Sequence, residues 1–169
     1  SLFVDSPKDI MIAYSNTHVW DTTYSLVADT LFYFSELDSG SANGNATLIQ
    51  DKQTIKGDRI EYFEIPESDG VSYAARGNVS ITEEGRLATC GEAIYDRENG
   101  KTTLRIKPKI LDNNQTIAGS EIFLEYDEDV LKSLFIPSEA HATHPSTGIR
   151  QWTEIVDGDT LTFEDSLSF

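Results

Sequence analysis

Apolar residues recur at every second position over much of the chain, in short runs that stop at glycine, asparagine, aspartate or proline. That period belongs to β-strands with buried and exposed faces. From Leu26 to Phe34, Leu31 and Tyr33 point one way and Thr30, Phe32 and Phe34 the other. Apolar bulk on both sides predicts a strand between two layers. Thr54 to Ile65 is a long strand with a break in phase: Ile55 has one parity, Ile60 and Tyr62 the other, with Gly57-Asp58 between them. A glycine at the phase change predicts a bulge or bend. Arg86 to Asp96 and Thr116 to Tyr126 read as further main strands. Ile10 to Tyr14, a start at Val19-Trp20, Ala46 to Ile49, Val71 to Ala75, Thr102 to Ile106, Leu134 to Ile136, Ile149 to Ile155 and Thr160 to Phe163 read as shorter ones. Turn chemistry separates them at Ser15-Asn16-Thr17, Asp38 to Ser41, Asn43-Gly44, Pro66 to Gly70, Glu83-Glu84-Gly85, Glu98-Asn99-Gly100 and Asp112 to Asn114. Ala140 to Ser146 reads as a polar loop. No stretch carries a sustained apolar stripe of helical period. About ten strands with almost no helix predict an all-β antiparallel fold: a sandwich, a jelly roll or an elongated folded sheet.

One phrase returns along the chain. Ile55 to Tyr62 has counterparts at Leu26 to Tyr33, Ala88 to Tyr95, Ile117 to Leu124 and Val156 to Phe163. The closing large residues fall at 33, 62, 95, 124 and 163, in steps of 29, 33, 29 and 39. A loose repeat of this length is a supersecondary unit that buries its core by stacking on its neighbours.

Composition removes whole classes of function. The 169 residues suit one domain spanning the chain, large enough for a hydrophobic core. A formal charge of -16 leaves nothing to neutralise phosphates and argues against nucleic acid. The single Cys90 excludes an internal disulfide framework and suits an inert core position. The abrupt start at Ser1-Leu2-Phe3 fits a piece excised from a longer chain. Asn-X-Ser/Thr triplets begin at Asn45, Asn78 and Asn114. His141 and His144 have only Glu139 as an acidic neighbour, too few ligands for zinc. Asp127, Glu128 and Asp129 lack the oxygen-ligand spacing of a calcium loop. No nucleophile elbow or phosphate loop is present, so neither an enzyme nor a cofactor is expected. The recurring apolar pairs fit either an ordinary closed core or a folded sheet whose inner faces leave an apolar groove. Such a groove would bury acyl chains at roughly 0.8 kcal/mol per CH₂.

The order of these motifs resembles the OstA-like, or LptA-like, domain family. Gly77-Asn78-Val79-Ser80-Ile81, Arg86 to Asp96 with its Ala93-Ile94-Tyr95-Asp96 ending, and Lys107-Pro108-Lys109-Ile110 carry the likeness. Gly44-Asn45 with Asp58 to Tyr62 repeats the phrasing upstream, and Thr116 to Tyr126 downstream. The best-matching part is 25–126. The resemblance implies an antiparallel jelly roll folded into a V-shaped, taco-like sheet pair. It also implies a non-enzymatic conduit for lipopolysaccharide or a related lipid in the periplasm of a Gram-negative bacterium, with acyl chains held between the sheets. Homologous β domains would join end to end through edge strands. One strand parity then supplies the candidate lining: Leu31, Tyr33, Ile60, Tyr62, Ala93, Tyr95, Ile122, Leu124, Leu161 and Phe163. The alternative is a closed sandwich acting as a carbohydrate-binding, adhesive or scaffold module, with Trp20 or Trp152 exposed on one face.

Overall fold

A computed structural model describes residues 2–5, 10–20, 22–64, 71–113, 115–127, 130–143, 147–156 and 159–168, the first and last two stretches through backbone pairing alone. The long strands come first: β1 Leu2–Asp5, β2 Ile10–Trp20, β3 Tyr24–Phe34, β4 Ser39–Gln50, β5 Gln53–Glu64, β6 Val71–Glu83 and β7 Arg86–Asp96. Each pairs antiparallel with the next. Shorter strands follow: β8 Lys101–Arg105, β9 Lys109–Asp112, β10 Gln115–Ala118, β11 Glu121–Asp127, β12 Val130–Phe135 and β13 His141–Thr143. The sheet runs β1 to β8 in order, then β11 and β12, while β9 pairs with β7, β10 with β9, and β13 with β10. Strands β14, Thr147–Val156, and β15, Asp159–Ser168, form a hairpin of their own.

This one open sheet is folded along a line that crosses its strands. Inward-facing residues on β3 are Leu26 and Ala28, then Leu31; on β5 they are Ile55 and Gly57, then Ile60. Each crossing therefore swaps parity, as the phase break between Ile55 and Ile60 predicts. Strands β4 and β6 carry one extra residue at the same level, so Ala42 is followed by Ala46 and Ala75 by Val79. The extra length is taken up by left-handed pairs, Gly44-Asn45 with φ of 78° and 47°, and Gly77-Asn78 with φ of 72° and 47°. Asn45 Nδ2 donates to Asp29 at 3.1 Å, and Asn78 Nδ2 donates to Asp58 at 2.9 Å, so each bulge is tied to the strand beside it. Further along, Ile106-Lys107, with φ of 62° and 56°, bends the chain between β8 and β9. There Gly91 N–H donates to the Ile106 carbonyl at 2.9 Å. The result is an antiparallel, taco-like sheet with its core between the two halves.

Several expected turns are bends inside strands. Ser15-Asn16 does not separate two strands but bulges the continuous β2, and Asn43-Gly44 lies within β4, which reaches back to Ser39. Asparagine and glycine tolerate the left-handed conformation that tight turns and bulges share, so local sequence does not separate them. Two of the three Asn-X-Ser/Thr triplets begin at bulge asparagines, Asn45 and Asn78. The polar stretch after Ala140 contains the strand His141–Thr143. Pro66 to Gly70 lies outside the described residues. Strand β3 is not sandwiched between layers: Val27 is 41% exposed on its outer side, and Phe32 and Phe34 share a shallow outer groove with Leu37 and Phe63.

Inside, cross-strand partners form continuous rows. In one half Leu31, Ala42, Ile60, Ala75, Ala93, Leu104 and Ile122 pair in succession. Beside this row run Tyr33, Gly40, Tyr62, Tyr73, Tyr95, Thr102 and Leu124. A Cβ on Gly40 would come within 2.4 Å of the Tyr62 ring, so glycine here makes room for the tyrosine. The facing half contributes Leu26, Leu48, Ile55, Ile81, Ala88, Ile110 and Ile117. On the outer surface the cations line up: Arg59 pairs with Glu61 at 2.6 Å, Arg76 with Glu61 and with Glu92 at 2.9 Å, and Arg105 with Glu121 at 2.7 Å. These exposed pairs contribute little each; those of Arg76 and Arg105 join neighbouring strands, whereas Arg59–Glu61 lies within β5.

Candidate functional site

The two halves meet along the fold line and are also fastened across the opposite, open side. Gln50, 3% exposed at the end of β4, receives the Val71 N–H at 2.7 Å and donates to the Val71 carbonyl at 3.2 Å. Arg97 bridges to Asp51 at 2.7 Å, and the Tyr24 hydroxyl donates to Glu64 at 3.0 Å. Between fold line and clasps the centre is filled: Leu26, Leu48, Ile55, Ile60, Ala75 and Leu104 are wholly shielded from solvent.

The apolar space lies at the two ends of the strand array. Toward β2, a cleft of about 260 Å³ between the halves is lined by Met11, Ala13, Val19, Tyr24, Leu31 and Tyr33, with Tyr62 at its inner wall. Toward β12, a second cleft of about 110 Å³ is lined by Tyr73, Ile81, Leu104, Ile110, Leu124 and Leu134. Its polar rim includes Gln53, Glu83, Arg86 and Asp112. Tyr62 and Tyr73 are cross-strand partners, so the wall between the clefts includes this pair.

Eight of the ten sequence-derived residues, on β3, β5, β7 and β11, occupy the two adjacent inner rows. Leu31, Tyr33 and Tyr62 line the first cleft and Leu124 the second. Ile60, Ala93 and Ile122 are fully buried in the filled centre. Tyr95 packs against the core, its ring 5.4 Å from that of Tyr73. Leu161 and Phe163 are on β15, which pairs with β14, and their side chains lie outside the described residues. The parity choice omitted the facing row of Leu26, Ile55, Ala88 and Ile117. Each of these stands five residues before a chosen position, which was the signal available in the repeat.

Other candidate chemistry stays apart from the clefts. Among the described residues no group of three His, Cys, Asp or Glu is placed to hold a metal ion. His141 is exposed on β13; His144, Glu128 and Asp129 lie outside the described residues. Trp20 is 67% exposed, with the His18 ring centroid 4.6 Å from its own. Cys90 is buried on β7, and burial pushes its thiol up to about 11. A water-soluble disulfide reagent at pH 8 should therefore react with the native protein at least about a hundredfold more slowly than with urea-unfolded chain. Equal rates would show that the thiol reaches solvent without unfolding.

The chain matches the family model described as LptA/(LptD N-terminal domain) LPS transport protein over residues 25–130. No curated protein sequence matches it significantly. Among solved structures, it is similar to LptH of Pseudomonas aeruginosa, the LptA-homologous periplasmic component of that organism's lipopolysaccharide transport device. The TM-score is 0.61 at 11% identity, covering 73% of this chain and 95% of the other. At that identity the likeness is one of fold.

Proposed function

Since the chain belongs to the family of LptA and LptD N-terminal domains, which are lipopolysaccharide transport proteins, we propose that its folded sheet is a non-enzymatic carrier for lipopolysaccharide or a related acylated lipid in the periplasm. The observation that carries this reading is the pair of apolar clefts between the sheet halves, one at each end of a filled centre. Acyl chains enter these clefts and the polar head remains at the rim. In the described conformation the β12-end cleft, at about 110 Å³, is smaller than the roughly 150 Å³ engineered cavity that accommodates benzene. Cargo therefore enters as the halves separate, with the clasps around Gln50 and Arg97 giving way. Homologous domains add at the sheet edge, where β12 carries Val130 and Phe135 exposed by 65% and 62%.

The test is photo-crosslinking to lipopolysaccharide, with a light-activated residue at Leu124 or Leu134 and at Lys101 as an outer-surface control. Adducts at both cleft positions and none at Lys101 are expected. The filled centre favours, as a second reading, a closed sandwich without lipid cargo. No adduct at any position in folded protein would establish that reading and remove the carrier role.

A further inference from the structure

Tyr73, which lines the β12-end cleft, carries a polar group that its packing does not explain. Tyr73, on β6, is 2% exposed, and its hydroxyl is the one buried side-chain oxygen or nitrogen among the described residues with no hydrogen-bond partner. A buried, unpaired hydroxyl destabilises the protein that holds it, whereas phenylalanine would fill similar space without that cost. Tyr24, by contrast, donates to Glu64. Tyr73 shares the cleft lining with the apolar Ile81, Leu104, Ile110 and Leu124 and with the polar Thr102 and Tyr126, none of which pairs with its hydroxyl. Burial holds the phenol well above its usual pKa, so at neutral pH the group is a hydrogen-bond donor.

Its place on the strand says where an acceptor belongs. Tyr73 is two residues from Val71, which begins β6 and is held by the Gln50 clasp on the open side. The polar rim of the same cleft, with Gln53, Glu83 and Arg86, marks where a head group stays in water. An acceptor reaching Tyr73 therefore sits near the head of a lodged chain, not near its methyl end.

We infer that Tyr73 is the specificity residue of this cleft, donating a hydrogen bond to an oxygen near the head of the acyl chain and so favouring a hydroxylated chain over a plain one. This rests on the lipid-carrier reading. An unoxygenated chain would leave the hydroxyl as it is, buried and unpaired; a chain with an oxygen at that depth would satisfy it.

The test compares two probes, tetradecanoate and 3-hydroxytetradecanoate, in displacing the apolar dye N-phenyl-1-naphthylamine from the full chain. The wild type should favour the hydroxylated acid by about tenfold, equivalent to ~1.4 kcal/mol. Tyr73→Phe should bring the ratio close to one while binding the plain acid at least as well, with an unchanged or raised melting temperature. An identical preference in both proteins would overturn the assignment. A marked loss of stability in Tyr73→Phe would also overturn it, by showing that the hydroxyl has a partner within the native protein. If neither acid displaces the dye from the wild type, the carrier reading fails first and the Tyr73 assignment with it.

Discussion

Ile60→Asp is expected to abolish the folded state. Ile60 has no exposed surface and pairs with Ala42 on one side and Ala75 on the other, in the filled centre between the clefts. An unpaired carboxylate there has neither water nor a cation, and such a change costs several kcal/mol. Total stabilities of natural domains are only about 5–15 kcal/mol. Far-UV circular dichroism should show loss of the strand spectrum or of the cooperative melt. Leu134→Asp is the contrasting case. Leu134 is half-buried at the cleft wall, so its carboxylate can turn toward the rim, and the cost should be only ~1–2 kcal/mol. That variant should fold and bind lipid less well. A normally melting Ile60→Asp would mean that the centre is open to solvent.

Gly77→Ala carries the second large effect, through the fold line. Gly77 has φ of 72°, and a Cβ there would lie 2.3 Å from Asp58 Oδ2, 2.9 Å from its Cγ and 3.0 Å from its Cβ. The terminal oxygen can swing away; Asp58 Cβ cannot without moving β5. Displacing Asp58 also breaks its hydrogen bond from Asn78. Gly85 supplies the control, with φ of 87° and no atom within 4 Å of its Cβ position. Gly85→Ala should cost the backbone strain alone, ~1–2 kcal/mol. Gly77→Ala should cost ~3 kcal/mol and lower the melting temperature by roughly 6–12 °C. Equal losses in the two variants would show that packing at the fold line contributes nothing.

The repeat made the inner surface legible because its aligned positions fall on one row across alternate strands. Leu31, Ile60, Ala93 and Ile122 fall on one row, linked through Ala42, Ala75 and Leu104. The second wall was harder to read. Ile55 and Ile60 are an odd number of residues apart, so on an unbroken strand they would face opposite sides. Only the bend at Gly57-Asp58 brings both inward. The phase break was visible in the sequence, but its meaning depends on every neighbouring strand bending at the same level. Turn chemistry at Asn43-Gly44 and the motif at Gly77-Asn78 do not reveal that a neighbouring strand supplies an aspartate, Asp29 or Asp58, to hold each bulge. Whether apolar residues enclose a filled centre or an end cleft depends on which strands lie at the ends of the array. Periodicity along a single strand carries no such information.

The bend line also sets a unit of length. Each bulged strand and its partner form one repeat, and neighbouring strands in a sheet lie about 4.8 Å apart, so a repeat extends the trough by roughly 10 Å. Because the repeats β3–β4 and β5–β6 present the same bend and the same two inward rows, such units can be added or removed in pairs of strands without altering the cross-section. The number of repeats then measures the span of the sheet's inner surface, much as the number of rungs measures a ladder.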